Sequence, residues 1–213
     1  MRADVIKIIE KEKIIAIIRG VEPEQAVKVA KALYEGGIKL VEVTFDQSHP
    51  ESFQNTANAI RRIKQETSGK MCVGAGTVIT AEQVNIAYDA GAEYIVSPDT
   101  DASVIRETVR KGMVSLPGAY TASEAKTAHN AGADFIKVFP CSSAQYIKAL
   151  KAPLSHIKFL AVGGVNVNNA KEFIQAGACG VGVGGSLVNK EWIQNGEFDK
   201  ITELAKKFIE ILN

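Results

Sequence analysis

A short cadence returns four times along the chain: "EGGIKLVEV", "DAGAEYIVSP", "NAGADFIKVFP" and "QAGACGVGVG". In each, a glycine (Gly37, Gly91, Gly132, Gly177) follows a helix-like stretch and precedes an apolar run by a few residues. Glycine just past a helix end takes the left-handed conformation without a Cβ penalty, so the four predict helix-to-strand turns. The stretches before them carry helical spacing. In "PEQAVKVAKALYEGG", Ala26, Val29, Ala30 and Leu33 line one face, and Pro23 suits the first turn. Between the helices lie eight short runs of strand character, centred on residues 14–19, 40–45, 72–76, 94–97, 114–117, 135–139, 159–163 and 180–184. Regular β/α alternation implies a parallel sheet. Eight units in 213 residues predict a compact TIM (β/α)8 barrel of the α/β class, one domain over residues 1–213. A doubly wound open sheet is the alternative by pattern alone.

Composition narrows the function classes. At 46% hydrophobic the chain can bury a sizeable core. With 25 basic and 24 acidic residues there is no net field to attract nucleic acid or an anionic membrane, so any phosphate must be bound locally. The three cysteines (Cys72, Cys141, Cys179) are scattered, which predicts reduced thiols and a cytoplasmic protein. The longest aliphatic run near the start is "IIAII", far short of a membrane span, and no export signal is read. His49, His129 and His156 show no metal-ligand spacing, so no metal is expected.

Barrel chemistry gathers at the C-terminal ends of the strands. Those ends read "IIRG", "VEVTF", "GAGTV", "VSPD", "LPGA", "IKVFP", "VGGV" and "VGGS". Lys137 sits among Phe135, Ile136, Val138 and Phe139, a run otherwise built for burial. Desolvation lowers a lysine pKa and frees the amine as a nucleophile toward a ketone. Glu42, between Val41 and Val43, is the matching carboxylate on another strand, able either to form a structural ion pair with Lys137 or to shuttle protons for it. Arg19 ends the first strand with a planar fork suited to carboxylate or phosphate, or to holding Glu42. The pairs Gly163–Gly164 and Gly184–Gly185, the latter followed by Ser186, close strands seven and eight, where barrels commonly bind phosphate on bare backbone N–H groups. Thr77 and Pro98 stand at two further strand ends.

In that order and spacing, "VEVTF", "GAGTV", "VSP", "FIKVFP", "VGGV" and "VGGS" resemble the class I aldolases that cleave 2-keto-3-deoxy-6-phosphogluconate (KDPG) and 4-hydroxy-2-oxoglutarate (KHG). The resemblance implies that Lys137 is the Schiff-base lysine, Glu42 the general acid/base and Arg19 its neighbour. It implies that Thr77 and Pro98 hold the pyruvyl end, that Phe139 packs against it, and that Gly163, Gly164, Gly185 and Ser186 bind phosphate. It further implies a homotrimer without cofactor, acting on a small 2-keto sugar acid phosphate. Three features depart from gluconate-type members: Asp46 in place of Arg, Thr or Asn, Val162 in place of Thr, and a shortened loop after Pro140. "AVGGV", "IIRGVEPEQA" and "YIKALKA" look more like the 6-phosphogalactonate (KDPGal) branch. A phosphosugar isomerase or epimerase, with Lys137 and Glu42 as plain acid and base, is a second class of reading. A non-catalytic binder of sugar acid phosphates is a third.

Overall fold

Strand and helix alternate throughout the computed structural model, which describes residues 2–213. The strands are β1 (Ile14–Ile18), β2 (Leu40–Thr44), β3 (Cys72–Gly76), β4 (Tyr94–Val96), β5 (Val114–Leu116), β6 (Gly118–Ala119), β7 (Ile136–Val138), β8 (Phe159–Val162) and β9 (Gly180–Val183). The helices are α1 (Arg2–Glu12), α2 (Pro23–Glu35), α3 (Phe53–Glu66), α4 (Ala81–Asp89), α5 (Ala102–Arg110), α6 (Ala122–Asn130), α7 (Ala144–Lys151), α8 (Ala170–Gln175), α9 (Lys190–Gln194) and α10 (Phe198–Leu212). All pairings are parallel, in the order β5-β4-β3-β2-β1-β9-β8-β7-β6. Apart from β5 and β6, at the two ends of this order, chain neighbours are sheet neighbours, and β1 pairs with β9. A doubly wound sheet would reverse direction at a switch point instead. The four cadence glycines all take positive φ: 95° at Gly37, 88° at Gly91, 109° at Gly132 and 103° at Gly177.

The single fifth strand expected over residues 114–117 is two pieces. β5 bonds to β4 and β6 bonds to β7, with Pro117 between them. Proline has no N–H to give a ladder. Its carbonyl still serves, accepting from the Lys137 N–H at 2.9 Å, while the Ser115 carbonyl accepts from the Phe135 N–H at 3.3 Å. The ring of strands therefore closes across the break.

Strand residues alternate between two cores. Ile14, Ala16, Ile18, Val41, Val43, Ile136, Val138, Ala161 and Val181 face out to the helices. Ile15, Leu40, Tyr94, Val96, Leu116, Phe135 and Leu160 form a separate inner core. Helix α1, to which the sequence reading assigns no element, plugs that inner core from the N-terminal end of the strands with Val5 and Ile9. Ion pairs surround the plug: Arg2–Asp134 and Glu12–Lys39 at 2.9 Å, and Glu10–Lys158 at 2.7 Å. Exposed pairs contribute about 0–1 kcal/mol each, whereas burying one aliphatic side chain contributes about 1.5–3 kcal/mol. Val5 and Ile9 are what anchor α1.

Candidate active site

Two residues above the apolar floor, on the same inner face, stand the next side chains of each strand: Ile17 above Ile15, Glu42 above Leu40, Lys137 above Phe135, Val162 above Leu160. The strand period of two puts them in one layer. In register, Glu42 lies opposite Ile17 and Gly74, and Lys137 opposite Gly118 and Leu160. Both charged residues are nearly out of water, Glu42 at 2% exposure and Lys137 at 5%. Glycine makes this possible: a Cβ at Gly76 would overlap the Glu42 carboxyl group.

Burial governs both groups. Desolvation lowers the Lys137 pKa, opposed by the Glu42 charge and helped by Arg19. Desolvation likewise raises the Glu42 pKa, against the pull of Lys137 and Arg19. Among the described residues, no donor, Lys137 included, gives a hydrogen bond to the buried Glu42 Oε1. The pair is thus coupled through space rather than closed as a structural ion pair. The Lys137 Nζ lies 4.6 Å from the centre of the Phe139 ring, itself 38% exposed at the rim.

A cavity of about 470 Å³ opens above Lys137, lined also by Ile17, Arg19, Phe139, Val162, Gly163, Gly164, Val165, Asn166, Gly182, Gly184, Gly185 and Ser186. Of the residues singled out from sequence, Lys137, Arg19, Phe139, Gly163, Gly164, Gly185 and Ser186 meet in this one space. Glu42, Thr77 and Pro98 do not line it. Arg19 donates from Nη2 to Thr77 Oγ1 at 3.3 Å. The Pro98 carbonyl packs against Gly118, the register partner of Lys137, where a Cβ would clash. Ile17, Val165, Asn166 and Gly182 were not singled out. For Ile17 the signal was present, since it shares the parity of Arg19 on its strand.

The far side of the cavity is formed by two glycine-containing loops. Gly163 and Gly164 turn at φ 103° and 68°, a conformation that favours glycine. Among the described residues, no acceptor takes the backbone N–H of Gly164, Val165, Gly185 or Ser186. Ser186 Oγ donates to the Val165 carbonyl at 2.6 Å, tying the two loops together. No group of three or more His, Cys, Asp or Glu among the described residues is placed to hold a metal ion. Burial pushes the Cys141 thiol up to about 11, which leaves it protonated at neutral pH.

A sequence profile of the KDPG and KHG aldolase family matches residues 5–204. The chain belongs to this family. It is 41% identical over 177 residues to the 2-dehydro-3-deoxy-6-phosphogalactonate aldolase of Escherichia coli, covering 82% of this chain and 83% of that one. It is 32% identical over 210 residues to the 2-dehydro-3-deoxy-phosphogluconate aldolase of Treponema pallidum, covering 96% and 95%. A crystal structure of the KDPG aldolase from Legionella pneumophila, with pyruvate captured as a covalent carbinolamine, superposes with a TM-score of 0.82 at 28% identity, covering 94% and 96%. Against this family, Asp46 is exposed and folds back on Ser48, whose N–H donates to its Oδ1 at 3.0 Å. The Ser48 hydroxyl and N–H hold the Asp46 carboxyl below the usual carboxylate range. Asp46 lines a neighbouring cavity of about 300 Å³ with His49, not the one above Lys137. Val162, by contrast, lines the Lys137 cavity. No helix among the described residues is long and apolar enough to cross a membrane.

Proposed function

We propose that this chain is a class I aldolase that cleaves a phosphorylated 2-keto-3-deoxy sugar acid, and 4-hydroxy-2-oxoglutarate, through a Schiff base on Lys137. The observation that carries this reading is the buried lysine at the base of the cavity, its pKa lowered by desolvation and its amine coupled to Glu42. A neutral amine is the form that attacks a ketone.

Lys137 Nζ adds to the substrate ketone, giving a carbinolamine. Glu42, its pKa raised by burial so that it can hold a proton to give, protonates the departing hydroxyl, and water leaves as the iminium forms. The Phe139 ring beside Nζ then faces a cation, which its π-face stabilises. A base takes the proton of the hydroxyl on the fourth carbon. The electrons of the bond between the third and fourth carbons flow into the iminium, an aldehyde departs and an enamine remains. Protonation and hydrolysis release pyruvate and regenerate the amine. The partner aldehyde is glyceraldehyde 3-phosphate from the sugar acid phosphate, or glyoxylate from hydroxyoxoglutarate. Arg19 suits the pyruvyl carboxylate, with Thr77 and Pro98 shaping that end. The unused N–H groups at Gly164, Val165, Gly185 and Ser186, on loops formed by Gly163 and Gly184, suit the phosphate.

Val162 in the cavity wall and the 41% identity to a galactonate-type relative favour the KDPGal epimer, while the gluconate-type relatives match over more of the chain. Values of kcat/KM for the two epimers decide between them. A homotrimer in the cytoplasm goes with this reading, and light scattering of the purified protein checks the assembly. Because the iminium is the electron sink, turnover is expected to persist in a chelator.

The deciding experiment is intact-protein mass after pyruvate and borohydride, on the wild type and on Lys137→Ala. A reduced pyruvyl adduct on the wild type alone is expected. Its absence would move the reading to an isomerase that forms no covalent adduct.

A further inference from the structure

The turn between β2 and α3 carries a side chain that this chemistry does not use. Gln47 donates from Nε2 to the Thr77 carbonyl at 2.6 Å, and its Oε1 accepts from Gln83 Nε2 at 2.9 Å. Gln83, on α4 and only 1% exposed, accepts at Oε1 from the Ile79 N–H at 2.8 Å. The direction of this chain is set at both ends. A backbone N–H at Ile79 requires the oxygen of Gln83, which turns its amide nitrogen to Gln47 and leaves the Gln47 nitrogen for the Thr77 carbonyl.

At the end of the chain is a strained residue. Thr77 has φ 56°, a left-handed conformation that is a genuine outlier for a β-branched side chain. Such conformations persist only where the surroundings over-determine them. Thr77 Oγ1 in turn accepts from Arg19, which lines the cavity, and Gly76 immediately before it packs on Glu42.

We propose that Gln47, clamped by Gln83, is a positioning residue for substrate binding: it holds Thr77 in the left-handed turn and, through the Thr77 hydroxyl, sets the Arg19 fork at the cavity. The proposal rests on the reading that this cavity takes a 2-keto acid, and it deepens that reading by assigning a residue that touches no reacting atom. Its effect falls on how tightly the carboxylate end is held, not on the proton transfers at Lys137.

The test compares wild type, Gln47→Ala and Gln47→Glu by three readouts: the pyruvate concentration that gives half-maximal borohydride trapping, KM against kcat for cleavage, and Tm. Gln47→Glu keeps the shape but, as a carboxylate, has no N–H for the Thr77 carbonyl, so a packing role would survive it. Both variants are expected to raise the half-trapping concentration and KM by roughly tenfold, the size of one lost hydrogen bond. Trapping at saturating pyruvate and Tm are expected to stay near wild type. A Gln47→Glu protein with wild-type half-trapping and KM overturns the proposal, as does a fall in kcat with KM unchanged. A wild type that traps no pyruvate is a failure of the aldolase reading, visible before any variant is made, and the positioning role falls with it.

Discussion

At the scale of single residues, the site depends on what is missing as much as on what is present. The place a Cβ would take at Gly76 is occupied by the Glu42 carboxyl, so Gly76→Ala is expected to swing Glu42 aside while the backbone stays. Cleavage should drop by about 10²–10⁴-fold, the usual worth of a placed acid/base, with Tm little changed. Steady-state kinetics beside a thermal melt checks this, and a large Tm loss with intact kinetics would place the clash elsewhere. Glu42 also makes stability depend on pH. Its pKa is raised in the fold, so the native state holds the proton more tightly than the unfolded chain. Stability is therefore lost as pH climbs from the ordinary carboxylate range through the raised value. Glu42→Gln escapes that loss: its Tm advantage over wild type is expected to be smallest near about pH 4 and to grow toward neutrality. Lys137 is the mirror case, depressed by burial, so its contribution is lost as pH falls through the lowered value.

At the scale of elements, helix starts are set by local chemistry. Helix α6 begins with a capping box in which Thr121 Oγ1 accepts from the Glu124 N–H at 3.2 Å and Glu124 Oε2 accepts from the Thr121 N–H at 2.7 Å. It follows directly on β6, the strand beside Lys137. Thr121→Ala is expected to cost about 1 kcal/mol, read as a lower denaturation midpoint with unchanged slope. Such caps, and the glycines that end helices, are legible in sequence because donor, acceptor and turn lie within a few residues. Helix α1 was not, for its Val5 and Ile9 are interleaved with charge and find a purpose only beneath a finished barrel. Pro117 shows the opposite limit: the residue was visible, but whether its neighbours still pair depended on two other strands supplying the partners.

At the scale of the whole molecule, the barrel interior is a packed plug with a reactive layer above it. Tyr94 fills the plug, its ring lying where a Cβ at Gly74 would stand and its hydroxyl donating to the Val41 carbonyl at 2.6 Å. Gly74→Ala is expected to overpack this layer and cost about 1–3 kcal/mol, measured by chemical denaturation, whereas an unchanged midpoint would mean that the ring has room to shift. The sequence by itself determined the alternation of strand and helix, the four left-handed turns, and that Lys137 shares a strand face with Phe135 and Glu42 with Leu40. Each follows from a period or a cap contained in a short window. Only the tertiary structure decided that the face of Phe135 and Leu40 turns inward, that Thr77 and Pro98 do not line the cavity, that Asp46 turns back on Ser48, and that Gln83 reaches Thr77 through Gln47. Those arrangements depend on which loops ring closure sets side by side, and closure joins strands far apart in the chain through contacts that no local pattern encodes.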